Sequence, residues 1–509
     1  MKTINLYKFS IGFLILGAVG CTDLEIEETD SRFGNLSGDF SGVDADANLT
    51  NLYNTLRGQI STQENLYALT EVSSDEQLVP TRGTDWGDNG VWRNLHAHTW
   101  DSNHNFIKGT WNNFNQMIFN ATSIIDSRSS PTEQQAAEAK FIRGYCMFQL
   151  LDLFGQVPFR TPDEGSDVFP SVMSRAEALD FVLNDLNEAL PVLPQSGPSA
   201  DLNKPTKAAV RFLLAKIYLN KHIYLGTETP ASADMTEVVN LVNAIQADGF
   251  DLQEGYFDLF TDEVNTETIY FTTSDVGPRI WNTLHYKQNS PDNTGGGWNG
   301  FTTLAEFYDL FEGDPTVNVP GSGQEERRGF VPTDGSHLGI GYGFLINQQY
   351  DQDGKAMTDR PGNPLAYTKD LPGLLGNNEI TGIRVIKYHP ENGAFTNHEV
   401  VFRYADAHLM KAEAIAKGGT SSEDALVLVN QLRTLRGATP LASLSDQDIL
   451  DERGRELYEE MWRRNDLIRF GQFTQPWAFK DNTEDFRVLY PIPATAIITN
   501  PNLVQNPGY

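Results

Sequence analysis

Through most of the first 250 residues, and again after residue 400, apolar residues recur three and four positions apart. This is the period at which one face of a helix meets a core. The spacing predicts helices near 48–60, 105–127, 133–154, 206–221 and 235–247. Near 403–417, Ala405, Leu409, Ala412 and Ala416 form one stripe, and Ala425, Leu428, Leu432 and Leu435 form the next, with Gly418-Gly419 allowing a tight reversal between them. Thr132 with Gln135, Ser174 with Glu177, Ser421 with Asp424 and Ser445 with Asp448 each set a hydroxyl three residues before a side chain that can reach back, the arrangement that satisfies the orphan amides of a first turn. Pro205 suits a first helical position, where its missing N–H is no loss. Helix follows helix without strand–helix alternation, so the pattern predicts helix pairs in a right-handed array of TPR-like units. No 34-residue self-similarity matches the TPR consensus, so any repeats are degenerate.

Between about 250 and 400 the character changes to Gly, Asn, Asp and Pro throughout, with 16 glycines between Gly295 and Gly376. This stretch predicts loops, short strands and few helices. Its aromatics, among them Trp281, Tyr286, Trp298 and Phe301, argue for ordered packing. Ile383-Arg384-Val385-Ile386-Lys387-Tyr388 alternates apolar and charged residues and predicts a strand. Pro491-Ile492-Pro493 and Asn500-Pro501-Asn502 resist helix, so the C-terminus should run as an extended strap over the helices.

At 39% hydrophobic residues in 509, the chain can bury a large core. Its formal charge of −30 opposes phosphate-backbone binding, so no nucleic-acid partner is expected. The N-terminus adds a location. Lys2 and Lys8 precede an apolar run of nine residues, Ile11–Val19, which is short of the roughly 20 needed to span a bilayer and reads as a secretory leader. Gly17-Ala18-Val19-Gly20-Cys21 resembles a bacterial lipobox, with Ala18 where leucine is usual. Cys21 is then the lipidated first residue of the mature protein, and loss of Lys2 and Lys8 takes the charge to −32. A single acyl chain anchors only marginally, at about 0.8 kcal/mol per buried CH₂, whereas several hold firmly. Thr22 to Asp30 forms an acidic tether resembling the export signals of surface lipoproteins. Cys146, inside an apolar helix, reads as a small core residue.

Trp86, Trp92, Trp100 and Trp111 fall within 26 residues. Trp100 and Trp111 read as core. Trp86, among Gly83, Asp85, Gly87, Asp88 and Gly90, reads as a loop residue, as does Trp298 beside Asn299 in a glycine-rich run. Sugars present apolar C–H faces ringed by hydroxyls, so an aromatic platform beside carboxylate, amide and guanidinium groups suits them. Glu452, Glu456, Glu459 and Glu460 sit among arginines, where Glu459 to Arg463 and Glu460 to Arg464 have the spacing of helix-supporting ion pairs rather than of a catalytic dyad. His96, His98 and His104 lack any established metal-ligand spacing, and no metal is expected. Asp351-Gln352-Asp353-Gly354 opens like a calcium loop, but Gly362 stands where the twelfth-position Glu belongs, so a hairpin turn is expected. No nucleophile elbow, phosphate loop or dinucleotide fingerprint is present, and no cofactor or catalytic residue is assigned.

Several blocks in order resemble one family. They are Glu138-Ala139-Lys140-Phe141-Ile142-Arg143-Gly144-Tyr145 running to Pro158, Lys204-Pro205-Thr206-Lys207-Ala208-Ala209 to Leu219, Phe402-Arg403-Tyr404 to Ala414, Trp462-Arg463-Arg464-Asn465-Asp466-Leu467 to Gly471, and the terminal Pro491-Ile492-Pro493 with Asn500-Pro501-Asn502 to Tyr509. With the lipobox they look like SusD/RagB outer-membrane lipoproteins. The resemblance implies a mostly α, SusD-like fold: degenerate TPR-like helix pairs forming an α-α superhelix, with a large loop-rich insert carrying short strands. It implies a leader over 1–20, an anchored tether over 21–45 and a single domain over 46–509, with helical scaffold about 46–250 and 400–475, insert about 250–400 and strap 476–509. It further implies non-catalytic capture of oligosaccharide at the extracellular side of the outer membrane and delivery to a SusC-like TonB-dependent transporter. Trp86, Trp298, Asp75, Arg82, Asp85 and Asn299 are then the expected glycan site, and the acidic charge favours a neutral glycan. A surface glycoside hydrolase and a peptide-binding lid or scaffold remain the alternatives.

Overall fold

The computed structural model describes residues 40–165, 167–273, 276–288, 296–394 and 396–509. The leader, Cys21 and the acidic tether lie outside the described residues. The scaffold is built from α1 (Ala45–Ser61), α2 (Asn105–Ile125), α3 (Glu133–Phe154), α4 (Arg175–Ala189), α5 (Lys207–Leu225) and α6 (Ser232–Ala247). After the insert come α7 (Tyr404–Ala416), α8 (Ala425–Leu435), α9 (Asp446–Leu457) and α10 (Arg463–Arg469). From α1 to α6 each helix packs on the next. The stack then continues from α6 to α7 although residues 248–403 intervene, and α7 carries α8 and α9.

Why these segments are helical follows from their faces. In α2, Phe106, Trp111, Phe114 and Ile118 point inward while Asn112 and Gln116 stay in water, and α3 is so apolar that it is buried nearly all round, Cys146 included. Each large side chain removed from water in this way contributes about 1.5–3 kcal/mol. Trp100 and Trp111 belong to this core. Three expected capping boxes form, at Thr132, Ser174 and Ser445. Two start signals fall elsewhere. Asp424, not Ser421, caps α8, its carboxylate accepting from the Val427 N–H at 3.1 Å. Thr206, not Pro205, begins α5, because its hydroxyl accepts from the Ala209 N–H and leaves Pro205 outside the helix.

The insert has a core of its own, centred on Tyr256, Phe260, Phe311, Phe344 and Tyr458. Its neck is an antiparallel pair, Thr268–Thr273 with His398–Arg403, in which Thr273 stands opposite His398. Inside it, Arg384–Ile386 pairs with Tyr342–Leu345, which also pairs with Gly329–Phe330. The expected strand over 383–388 is thus present in its central three residues. Asp351 and Gly354 form a hairpin turn, the Asp351 carboxylate accepting from the N–H groups of Asp353 and Lys355 at 3.0 and 2.9 Å. The terminal strap crosses the end of α3, where Asn506 donates to the Phe154 carbonyl and the Tyr490 N–H to that of Leu153. It is not wholly extended, since Ala494–Thr499 forms a short helix between the two proline segments.

Insert and scaffold meet at a buried ion network. The Glu456 carboxylate accepts from Arg327 of the insert at 3.1 Å, from Arg403 at 2.7 Å and from Arg436 at 3.0 Å. Glu267 binds Arg403 and Arg436 at 2.9 and 2.6 Å, and Glu452 binds Arg327 and Arg433 at 2.7 Å each. The expected pairs Glu459 to Arg463 and Glu460 to Arg464 do not form. The helix stops at Leu457, and Glu459 and Met461 take φ of 61° and 66°, which turns these side chains apart. Glu460 instead meets Arg403 and Lys387, Arg463 meets Asp75, and Arg464 approaches Asp152 at 3.6 Å. The acids are structural as expected, with different partners.

Candidate ligand-binding cleft

A cleft of about 1070 Å³ opens where the loop over residues 84–92 faces the insert. Its walls include Trp86, Trp281, Trp298 and Tyr286, with Glu64, Asp85, Asp88 and Arg360 at polar positions. Trp298 is 65% exposed. Beneath the wall, Trp92 packs against Phe106 and Phe301 with ring centroids 4.7 and 5.3 Å apart, and Trp86 meets Phe301 edge-on at 5.8 Å. The shelf therefore grows out of the core.

Two loops interlock to hold the aromatics. Trp86, at φ 59°, donates from its indole Nε1 to the Trp298 carbonyl at 2.7 Å. The Trp298 N–H in turn donates to the Trp281 carbonyl at 2.5 Å. Gly300 makes this possible: a Cβ there would lie 2.3 Å from the Trp86 ring. Non-glycine residues held at positive φ carry strain that surrounding packing must offset, and such positions concentrate at functional sites.

The polar side is a linked chain. Tyr286 donates its hydroxyl to Asp85 at 2.5 Å, and the Arg360 guanidinium lies 3.8 Å over the Tyr286 ring while reaching Asp85 at 3.2 Å. Arg360 also binds Glu379, through its side chain and through its N–H. Burial, and then the Asp85 carboxylate, push the Tyr286 hydroxyl well up, so it stays a donor at any working pH. Burial pushes His285 down to about 4; it is neutral, with Nε2 bonded to Glu379 at 2.9 Å and Nδ1 accepting from the Lys287 N–H. Against burial, the hydrogen bonds from Arg360 and His285 hold Glu379 below the usual carboxylate range. The guanidinium is thereby fixed as a flat cation over a phenol, and the cleft's remaining charge is acidic.

A model of the SusD family matches residues 266–509, and a second, described as starch-binding and associating with the outer membrane, matches 27–219. The chain is 27% identical over 424 residues to the starch-binding protein SusD of Bacteroides thetaiotaomicron, covering 74% of this chain and 73% of that one. The chain belongs to the SusD/RagB family. Its fold is shared with a laminarin-binding SusD-like protein, with a TM-score of 0.67 and 21% identity over 92% of this chain and 100% of that one. A surface glycan-binding protein A from Bacteroides thetaiotaomicron, solved with laminarihexaose, also has a TM-score of 0.67, at 17% identity over 91% and 98%.

Of the residues expected at the site of this SusD-family chain, Trp86, Trp298 and Asp85 are brought together in the cleft. Asp75 is not among its lining residues. It pairs with Arg463 through two bonds of 2.7 Å and lines a separate cleft of about 240 Å³. Arg82 is buried, its guanidinium donating to the carbonyls of Asn378 and Thr381 at 3.0 and 2.6 Å. Asn299 is buried too, accepting from Arg384 at 2.9 and 2.7 Å and donating to the Glu379 carbonyl at 3.0 Å. These three hold loops in place. Trp281, Tyr286 and Arg360 enter the wall unannounced as site residues; the two aromatics read from sequence only as packing material, and Arg360 gave no signal. The three candidate metal histidines each bond to a backbone carbonyl, and burial lowers all three. Among the described residues no group of three His, Cys, Asp or Glu is placed to hold a metal, and no helix is long and apolar enough to cross a membrane.

Proposed function

We propose that this protein binds a neutral oligosaccharide without cleaving it, and hands it to a SusC-like TonB-dependent transporter. It does so at the extracellular face of the outer membrane, held by acyl chains on Cys21. The observation that carries the binding reading is the shelf of Trp86, Trp281 and Trp298 beside the Asp85–Tyr286–Arg360 chain. Indole faces take the C–H side of a pyranose, and the flanking carboxylates, phenol and guanidinium take its hydroxyls. Family membership and the ligands named for starch-binding SusD, the laminarin-binding relative and the relative solved with laminarihexaose support the same class.

Neutrality follows from charge. Glu64, Asp85 and Asp88 face the cleft against one lining cation, Arg360, which is already paired with Asp85 and Glu379, so a uronate or sulfate would meet a net negative wall. Binding without hydrolysis is supported by the commitment of two of those acids: Asp85 serves Tyr286 and Arg360, and Asp88 accepts from the Trp92 indole at 3.0 Å. A glycosidase needs a carboxyl with raised pKa at the bond to be cut. The raised carboxyls Glu71, Glu76, Glu326, Asp451 and Glu459 do not line this cleft.

Affinity electrophoresis against neutral and acidic polysaccharides, with Trp86→Ala and Trp298→Ala beside the wild type, tests the reading. Retardation by a neutral glycan that either variant loses is the expected result. Stronger retardation by sulfated or uronate-rich polymers overturns neutrality, release of reducing ends overturns the non-catalytic assignment, and no retardation by any glycan redirects the search to peptides. Cell fractionation of Cys21→Ser tests the anchor, with the protein expected to leave the membrane fraction.

A further inference from the structure

The insert carries a second cleft of about 590 Å³ that shares no lining residue with the first. Its walls come from Phe257, Asp258, Gln324, Phe330, His337 and Tyr342. Tyr342 is its fixed centre. One face of the ring stacks on buried His389, with centroids 4.2 Å apart and planes 25° apart, and the hydroxyl donates to Glu391. Phe257 and Phe330 stand at 5.1 and 5.9 Å from it, tilted by 45° and 46°, and both keep part of their surface in water. His337 closes the group edge-on at 5.2 Å, with Nδ1 bonded to Glu391 at 2.7 Å, which leaves Nε2 for an outside group.

Several features distinguish this arrangement from leftover core. A phenol clamped at its ring face and at its hydroxyl has lost its freedom before anything arrives, which is the cost a ligand would otherwise bear. His337 and Leu338 are consecutive non-glycine residues at φ 52° and 60°, a local strain that sets the imidazole beside the Phe330 ring. The cleft volume lies in the range of small-ligand sites, and the rings of Phe257, Phe330 and Tyr342 stand beside polar side chains that include Asp258, Gln324 and His337. Asp258 and Glu326 line the cleft and Glu391 binds behind Tyr342, so an anionic guest is disfavoured.

We infer that this cleft is a second saccharide-binding site, for a shorter stretch of neutral glycan than the first. The ligand class rests on the glycan reading of the first cleft; the location does not. Two sites on one chain raise the effective concentration of a long polymer at each, so a polysaccharide is held more tightly than either site alone would hold it.

Calorimetric titration of the detergent-solubilised full-length protein tests this, using laminarihexaose, maltohexaose, cellohexaose and xylohexaose as probes. Two sites per chain are expected for at least one probe. The Trp281→Ala/Trp298→Ala variant should leave the weaker site, and Phe257→Ala/Phe330→Ala should leave the stronger. Hydrogen exchange on the wild type guards against a variant that fails to fold, with added probe expected to slow exchange over 255–258 and 329–342. A single site abolished by the tryptophan pair, with no protection in those segments, overturns the second site and leaves the first. Sites that survive the tryptophan pair and vanish with the phenylalanine pair support the second cleft and overturn the first as the glycan site. No binding of any probe and no protection overturns both.

Discussion

Trp298 stands with 65% of its surface in water and is held through its own backbone groups, so its side chain supports little but a ligand. Trp298→Ala is expected to weaken glycan binding by about tenfold or more while moving the thermal midpoint by less than about 2 °C, measured by calorimetry and a melting scan. Gly300→Ala acts by a different route. The added Cβ collides with the Trp86 indole, so affinity should fall although no ligand contact is deleted, and tryptophan fluorescence should report the displaced ring. The sequence exposed Trp86 and Trp298 because glycine and asparagine around a large aromatic mark a loop that a core would not tolerate. It misplaced Asp75 and Arg82 because closeness along the chain is not closeness in space. The Gln77–Leu78 strand separates them; Asp75 reaches Arg463, and Arg82 turns inward to carbonyls almost 300 residues away. Tyr286 read only as packing and Arg360 gave no signal, because what makes them a site is a stacking distance, which no spacing encodes.

Helices were the most legible elements, since period, caps and glycine breaks agree within each of them. Short strands were legible only where alternation survived, as at Arg384–Ile386. The elbow after α9 was not legible. Residues 459–464 have ideal helical charge spacing, and only long-range partners, Gln77 for Glu459, Arg403 and Lys387 for Glu460 and Asp75 for Arg463, explain why the chain leaves the helix there. That junction predicts a mutational asymmetry. Glu456→Gln leaves Arg327, Arg403 and Arg436 buried with one counter-charge fewer, and should cost about 3–5 kcal/mol in denaturant unfolding. Removing an exposed pair such as Lys417 with Asp446 should cost less than about 1 kcal/mol.

For the molecule as a whole, the buried acids set opposite pH limits. Burial raises Glu452, yet Arg327, Arg455 and Arg433 hold it down to about 2. Its contribution is therefore present above the ordinary carboxylate range and is lost as pH falls from there toward 2. Burial pushes Glu459 up to about 8 against the pull of Arg279 and Lys387. Its contribution is present at low pH and is lost as pH rises from the ordinary carboxylate range through 8. Chemical denaturation across pH should show Glu459→Gln gaining more than about 1 kcal/mol over wild type at pH 8 and little at pH 4. The overall architecture was legible as helices around an irregular middle; the way the middle is anchored was not. Its entry and exit strands are stitched to each other, with Thr273 opposite His398, and α6 meets α7 as though nothing lay between them. Such an insert can be lengthened, trimmed or exchanged for another without re-threading the superhelix, because its two ends leave and return at one place. Selection can then retune what is captured by revising this cassette, while descendants inherit the helical frame intact.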